Sequence, residues 1–273
     1  MSETPVFFDN GTTRLFGVIH YPEHAGPEKA FVFCHPFAEE KLWAHRVYVS
    51  FARFLTSCGW AVLRFDYAGY GDSDGEFEST TVEGHLSDIS CAVSEIQRIL
   101  PSLQTVGLMG LRFGATLATL WASGNKLSGP LVLWEPLVDG DRFIQDVLRS
   151  NLTTQMATLG EVKVTREQLV EEMRSGQTVN IDGYELSYDL YSQISDINLL
   201  RITPNVEDIL VVKISRSRRP GKSLSTFVEQ AGAELEFATE DAFWREIKVF
   251  YDKAESLTEV TANWLETIYG KDR

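Results

Sequence analysis

Short apolar runs alternate with amphipathic segments along most of this chain, and this alternation limits the possible folds more than any other feature. Apolar runs such as Ala61–Phe65 and Leu131–Trp134 have the length of buried strands. Between the runs lie segments whose apolar residues recur at helical spacing. One such stripe consists of Val82, Leu86, Ile89, Val93, Ile96 and Leu100. Strands that alternate with helices form βαβ units, so the sequence predicts an α/β fold with a mostly parallel sheet flanked by helices.

The two ends of this pattern are less regular. Val6–Phe8 and Arg14–Tyr21 flank an Asn-Gly turn, which predicts a hairpin that gives the sheet an antiparallel edge. Residues 150–205 interrupt the alternation and are polar, although a helix with Leu169 and Met173 inward is expected there. We expect 1–273 to form a single domain in which 150–205 is a lid or cap insertion over the strand ends.

Composition excludes several classes of partner. The net charge is −14, which argues against nucleic acid or an anionic membrane surface. No apolar run approaches the roughly 20 residues that a membrane span needs. The first residues resemble no signal peptide, and the odd set Cys34, Cys58 and Cys91 suggests buried free thiols. These features together predict a cytoplasmic protein.

The segment Met109–Ala115 has the pattern of a nucleophile elbow, a sharp turn between a strand and a helix. Gly110 and Gly114 permit the tight turn and the close packing of the helix on the strand. The central position, which presents its side chain above the sheet, is Arg112. A guanidinium is permanently charged and has no lone pair suited to attack, so this residue cannot form an acyl-enzyme.

Several segments resemble a known family. The loop Phe65–Gly75 is similar to the one after the fourth strand of α/β-hydrolases. Pro36–Glu40, Gly110–Ala118 and Leu131–Gly140 resemble the exosortase A system-associated hydrolases of the second type. This resemblance implies the α/β-hydrolase fold, an elbow at which arginine is typical, and a link to bacterial exopolysaccharide and protein sorting.

In that fold the nucleophile, the acid and the histidine follow one another along the chain. All five histidines lie before the elbow, the last being His85. The usual place of the acid reads Arg216-Ser-Arg-Arg219, which is basic. Since all three triad positions are occupied by unsuitable residues, the sequence predicts a degenerate triad and a pseudoenzyme.

Arg112 has two interpretations. It is either neutralised by a carboxylate, from Glu39, Glu40, Glu135 or Asp139, or it grips the carboxylate or phosphate of a ligand. By the family resemblance, Phe37 and Ala38 lie where an oxyanion-hole N–H would originate. The candidate ligand-binding residues are Arg112, Leu111, Phe37, Ala38, Glu39, Glu135 and Arg216.

Other chemistry has weaker signals. His35 is a candidate catalytic base, although no nucleophile is evident beside it. His85 is expected at the surface, in a helix that Thr80 and Glu83 begin as a capping box. No zinc-ligand spacing, dinucleotide fingerprint or P-loop is present, so no metal or cofactor is expected.

Three functions remain open. The first is a non-catalytic α/β-hydrolase-fold protein that binds a small anionic or acyl ligand, or a protein partner of an exopolysaccharide system. The second is an active esterase, thioesterase or acyltransferase with a non-standard mechanism, using His35 or a carboxylate-activated water. The third, a scaffold in polysaccharide assembly, is implied only by the family resemblance. The absence of histidine after His85 favours the first over the second.

Overall fold

An eight-stranded sheet forms the centre of the computed structural model, which describes residues 2–23, 26–159, 165–245 and 251–270, with only the backbone for 151–159. The strands, in chain order, are β1 (Ser2–Asp9), β2 (Arg14–Tyr21), β3 (Lys29–Cys34), β4 (Ala61–Phe65), β5 (Thr105–Leu111), β6 (Leu131–Trp134), β7 (Val179–Ile181), β8 (Tyr184–Leu186), β9 (Ile209–Ile214) and β10 (Glu234–Ala238). The sheet order is β1-β2-β4-β3-β5-β6-β9-β10, and β7 and β8 form a separate hairpin.

The direction of the strands follows the predicted pattern. From β4 to β10 all neighbours are parallel, and β2 is antiparallel to both β1 and β4. The predicted α/β fold with an antiparallel edge hairpin is therefore confirmed. All parallel strands present their carboxyl ends at one edge of the sheet, which is where ligands bind in open α/β folds.

Helices cover both faces of the sheet. They are α1 (Glu39–Ser57), α2 (Val82–Ile99), α3 (Phe113–Gly124), α4 (Gly140–Leu159), α5 (Arg166–Arg174), α6 (Tyr188–Ser195), α7 (Lys222–Ala231) and α8 (Glu255–Tyr269). Alternate strand residues enter two cores. Val32 and Leu63 pack on the side of α2 and α3, whereas Phe33 and Val62 pack on the side of α1 and α8. This alternation explains why the strands read as unbroken apolar runs.

Several local predictions need correction. Thr81, one residue later than expected, caps α2 by accepting the Gly84 N–H at 3.0 Å. Thr80 instead donates to the Phe77 carbonyl at 2.8 Å and closes the preceding turn. His85 is buried, because the α2 face that carries it packs on aromatic rings of the loop after β4.

The cysteines also depart from the prediction. All three are free, yet only Cys34 is buried; Cys58 is exposed and Cys91 is half-buried. Cys58 follows α1 directly as its C-cap, which leaves its side chain at the surface. Burial raises the pKa of the Cys34 thiol to about 12, so this thiol is inert near neutral pH.

Between β6 and β9 the described residues add no strand to the sheet. The chain leaves the sheet after Trp134 and forms α4, α5, the β7–β8 hairpin and α6, with α4 beginning at Gly140, ten residues before the predicted insertion. Thr165 and Gln168 form a capping box at α5, and Leu169 and Met173 are buried as predicted. Residues 160–164 of the predicted lid lie outside the described residues, and its role as a lid stays a prediction.

Candidate functional site

The turn between β5 and α3 has the geometry of a nucleophile elbow. Arg112 occupies it with φ 56° and ψ −119°, a conformation that L-residues rarely adopt. A Cβ on Gly114 would lie 2.1 Å from the Cys34 carbonyl oxygen, and one on Gly110 would lie 2.4 Å from the Ala115 nitrogen. The two glycines therefore hold α3 close against β5 and β3, as the sequence predicted.

Backbone strain is concentrated around this elbow. Ala38, Arg112 and Glu135 all have positive φ, between 45° and 56°. They follow β3, β5 and β6, which are neighbours in the sheet. Each such residue costs about 1–3 kcal/mol and persists where the surrounding structure imposes it, most often at functional sites. Three strained residues at one sheet edge mark this edge as the candidate site.

A cleft of about 1150 Å³ opens at this edge. Most of the predicted ligand-binding residues line it. These are Phe37, Ala38, Glu39, Arg112 and Glu135. The topology thus brings together residues that are up to 98 positions apart in the sequence, although ligand binding by them stays a prediction.

The other two candidates lie elsewhere. Leu111 is fully buried in the core on the side of α1 and α8. Arg216 is exposed, and its Nη2 donates to Asp241 Oδ2 at 3.0 Å. Neither lines the cleft, because the Leu111 side chain points into the core and Arg216 turns toward the loop after β10.

Glu40 neutralises Arg112. The arginine Nε and Nη2 donate to the same oxygen, Glu40 Oε1, at 3.2 Å and 3.1 Å. The predicted pairing of Arg112 with a carboxylate is confirmed, and both side chains are less than one-fifth exposed. The guanidinium also lies 5.4 Å from the ring centre of Trp244 and 5.8 Å from that of Phe143, within the range of cation–π contacts.

The second Glu40 oxygen is unusual. Oε2 is buried and has no hydrogen-bond partner among the residues that the structure describes. Burial raises the pKa of Glu40, and the neighbouring Arg112 opposes this shift only in part. A buried carboxylate oxygen without a partner is costly, so its presence at the floor of a cleft needs an explanation.

A second ion pair lies in the same cleft. Lys213 of β9 donates to Glu135 Oε1, and the Ile214 N–H donates to Glu135 Oε2 at 2.8 Å. Both carboxylate oxygens are therefore engaged. This pair fixes the strained residue after β6 to the neighbouring strand.

The stretch after β10, where this fold would place a catalytic histidine, contains no histidine in the sequence. The described stretch after β10 ends at Trp244 and Arg245, and Trp244 lies against the Arg112 guanidinium. His35 does not line the cleft. Its ring is buried and stacks on Tyr48 at 4.9 Å, with Nε2 4.0 Å from Asp66 Oδ1. Burial lowers the pKa of His35 well below its usual value, so the imidazole is neutral near pH 7.

Sequence reasoning missed many residues of the cleft, among them Trp43, Arg142, Phe143, Trp244 and Arg245. Trp244 lies in the stretch where a histidine was sought, and a bulky ring in that position was the available signal. The others carry no local motif. Trp43, Arg142 and Phe143 face the cleft because of how α1 and α4 lie over the edge, and Arg245 because of the course of the chain after β10.

Metal and membrane features are limited. Within the described ranges no group of three His, Cys, Asp or Glu residues is placed to hold a metal ion. In the same part of the chain no helix has the length and apolar character to cross a membrane.

Comparison with known proteins identifies the family. Residues 25–187, more than half of the chain, match the model of the S33 serine aminopeptidase family of hydrolases. The chain belongs to this family.

Among curated proteins it is 25% identical over 160 residues to an uncharacterised 31.7 kDa protein of Escherichia coli, with 58% of this chain and 54% of that protein covered. It is 27% identical over 116 residues to an uncharacterised protein of Rickettsia prowazekii, with 41% of this chain and 47% of that protein covered. The chain thus spans about half the length of the curated relatives it matches.

Solved structures confirm the α/β-hydrolase fold. Est1E of Butyrivibrio proteoclasticus with ferulic acid bound has a TM-score of 0.69 at 19% identity, with 97% of this chain and 100% of that chain covered. The hydrolase GrgF of Penicillium sp. sh18 has a TM-score of 0.68 at 18% identity, with 98% of this chain and 99% of that chain covered. An esterase of Pyrococcus furiosus has a TM-score of 0.65 at 18% identity, with 97% of this chain and 90% of that chain covered.

Proposed function

We propose that this protein binds a small anionic ligand in the cleft above Arg112 and does not hydrolyse esters through an elbow nucleophile. The observation that carries the proposal is the side chain at the elbow. Arg112 has the strained backbone that normally presents a nucleophile, but a guanidinium cannot attack a carbonyl carbon. Glu40 holds this guanidinium in an ion pair, and Arg142 and Arg245 in the same cleft supply guanidinium groups suited to bind carboxylate or phosphate oxygens.

The surroundings of Arg112 support the non-catalytic interpretation. Trp244 occupies the space beside the elbow, and no histidine follows His85 in the sequence. Arg216 stands where the acid of the triad would be expected. An activated nucleophile needs a base within hydrogen-bond reach and a group that orients this base. The cleft supplies neither in the usual places, and we therefore propose a degenerate triad.

The ligand class rests on charge and on likeness. Arg112, Arg142 and Arg245 all line the cleft. The structurally similar Est1E is described with ferulic acid, a carboxylic acid, bound. We also propose the finer assignment to the exosortase-associated hydrolases on the segments Pro36–Glu40 and Leu131–Gly140. In that setting the ligand, or a protein partner, belongs to a cytoplasmic step of exopolysaccharide assembly.

A second candidate function is an esterase, thioesterase or acyltransferase with a non-standard mechanism. The family model and the similar structures favour hydrolysis in general. Glu40, whose pKa burial raises and whose Oε2 has no described partner, is the cleft residue that could accept a proton from water.

Hydrolysis of short and long p-nitrophenyl esters by wild type, Arg112→Ser and Arg112→Ala distinguishes the two functions. We expect no turnover above background in any of them, because a serine introduced alone has no base to accept its proton. A fluorophosphonate probe should label none of the three. Wild-type turnover that disappears in Glu40→Gln or His35→Ala would establish the second function.

Binding is measured separately by thermal shift with acyl, phosphoryl and sugar acids. A ligand that binds only the folded state raises the melting temperature in proportion to its saturation. We expect stabilisation by at least one class of acid in wild type and a smaller effect in Arg112→Ala.

A further inference from the structure

The cations of the cleft fall into two groups. Arg112, Arg149 and Lys213 are held in ion pairs, by Glu40, Asp146 and Glu135 respectively. The side chains of Arg142 and Arg245 line the same cleft and are exposed. Across the ranges that the structure describes, no carboxylate forms an ion pair with either of them. Carboxylates such as Glu39, Asp139 and Asp182 line the same cleft, so its lining as a whole is not cationic. Arg142 and Arg245 are nevertheless two guanidinium groups at one cleft that no described carboxylate pairs.

Arg142 lies in the first turn of α4, where its own N–H donates to Asp139 Oδ1 at 2.9 Å. The same turn carries Asp141, so Asp139 and Asp141 supply the negative charge that the helix dipole favours at this end. The Arg142 guanidinium nevertheless forms no ion pair with a described carboxylate. The charge of Arg245 reaches Glu40, which places Arg245 close to the floor of the cleft as well.

Two buried polar atoms next to Arg112 have no hydrogen-bond partner among the described residues. One is Glu40 Oε2, an acceptor, and the other is Trp244 Nε1, a donor. Both residues line the cleft, and Trp244 is only 5% exposed. A hydroxyl group can donate to one atom and accept from the other, whereas an ammonium group has no lone pair for the indole N–H.

The walls of the cleft carry aromatic rings. Trp43, Phe143 and Trp244 line it, and the last two lie against the Arg112 guanidinium. Flat apolar surface of this kind favours a ligand with a planar or apolar body.

We infer that the cleft recognises a hydroxy acid, whose anionic group binds Arg142 and Arg245 and whose hydroxyl group bridges Glu40 Oε2 and Trp244 Nε1. This inference rests on the proposed function and assigns the ligand class of the same site. The aromatic rings accommodate the body of the acid. Arg112 keeps its ion pair with Glu40 and orients the acceptor oxygen.

Three small probes separate the two parts of this recognition. Mandelate carries a ring, a carboxylate and a hydroxyl; phenylacetate lacks the hydroxyl, and mandelamide lacks the charge. Isothermal titration of the full chain should show mandelate binding at least about fivefold more tightly than either analogue, because each analogue leaves polar groups of the site without partners.

Variants assign each contact to its residue. Arg142→Gln and Arg245→Gln should each weaken the binding of mandelate about tenfold and leave the binding of mandelamide unchanged. Both variants should preserve the preference for mandelate over phenylacetate. Trp244→Phe keeps the ring beside Arg112 but removes the N–H, so it should reduce that preference. Glu40→Gln should abolish it. Arg216→Gln, which changes an exposed and paired arginine outside the cleft, is the matched control and should have no effect.

Several results would overturn the inference. The hydroxy-acid site would be excluded if the three probes bound equally or if none of them bound at millimolar concentration. It would also be excluded if neither Arg142→Gln nor Arg245→Gln changed the affinity for mandelate. In those cases the proposed function still stands if another acid stabilises the wild type through Arg112. The proposed function fails separately if the wild type hydrolyses p-nitrophenyl esters.

Discussion

Two of the ion pairs in the cleft, Arg112–Glu40 and Lys213–Glu135, use their carboxylates differently. Glu135 accepts from Lys213 and from the Ile214 N–H, so both of its oxygens are engaged. Glu40 receives both of its bonds from Arg112 on a single oxygen and leaves the other buried without a described partner. Both pairs also lie beside strained backbone, at Glu135 and Arg112.

This difference marks Lys213–Glu135 as a structural ion pair and Arg112–Glu40 as part of a candidate binding site. A carboxylate with two engaged oxygens ties a loop to a strand and has no capacity left for a ligand. Glu40 has that capacity, and burial raises its pKa, so the fold maintains it at a cost in stability. Charge and location alone would not distinguish the two, since both pairs line the same cleft.

The largest effect is expected from breaking the Glu40 pair. Arg112→Ala leaves a mostly buried carboxylate without its cation, and the free energy of unfolding should fall by about 3–5 kcal/mol. Urea denaturation at pH 7.5 measures this loss. Replacing both partners, as in Glu40→Leu with Arg112→Met, should recover most of it, because no buried charge then remains. A double variant as unstable as Arg112→Ala would mean that the pair itself is not the cause.

Breaking the other pair should cost less. Lys213→Ala leaves Glu135 with the Ile214 N–H as a donor, so we expect a loss of about 1–3 kcal/mol. Lys213→Met, which retains most of the aliphatic stem, is the control for lost packing. A loss equal to or larger than that of Arg112→Ala, in the same urea titration, would show that the two pairs do not differ as argued.

The pH of these measurements matters because His85 is buried as the neutral imidazole. Burial lowers its pKa from 6.5 to about 3 in the folded state. As pH falls, the unfolded chain takes up the proton first, so stability is complete above pH 6.5 and declines between pH 6.5 and about 3. The decline from this histidine is about 1.4 kcal/mol per pH unit.

His85→Phe should therefore flatten the fall in unfolding free energy between pH 6.5 and 5.5 without removing it, since His20 has its pKa lowered to about 4 as well. Urea titrations at pH 7.5, 6.5 and 5.5 provide the comparison. An unchanged slope in His85→Phe would contradict the burial of this ring.

The smallest effect tests the strained backbone without touching either pair. Ala38 has φ 45°, which glycine adopts freely, so Ala38→Gly should stabilise the protein by about 1 kcal/mol or less. The matched control is Ala44→Gly within α1, which should destabilise it by about 1 kcal/mol. Differential scanning calorimetry resolves the opposite signs. Destabilisation by Ala38→Gly would mean that this position carries no strain.

Much of the fold could be predicted because the sheet is buried on both faces. Ala61–Phe65 and Leu131–Trp134 appear as strands with the expected bounds, since apolar runs of that length have no other stable place. The α2 cap was displaced by one residue because Thr80 and Thr81 are equally suited to cap a helix. His85 was misplaced because its burial depends on rings from the loop after β4, which periodicity cannot reveal.

The site was predictable only where backbone geometry defines it. Gly110 and Gly114 specify the elbow locally, and they identified Arg112. The choice of Glu40 among four carboxylates and the contribution of Arg142 depend on how α1 and α4 lie over the sheet edge, and that of Arg245 depends on the course of the chain after β10. No local pattern encodes that arrangement.

Gly114 has a consequence for what evolution or design can do with this chain. Its missing side chain lets α3 lie against β3, with no room for even a methyl group beside the Cys34 carbonyl. The elbow is thus held by the contact of backbones and does not depend on which side chain it displays. Backbone packing holds position 112 above the sheet, so a library of residues there, combined with Glu40→Leu to remove the unpaired carboxylate, should change the chemistry offered to the cleft while the elbow is kept.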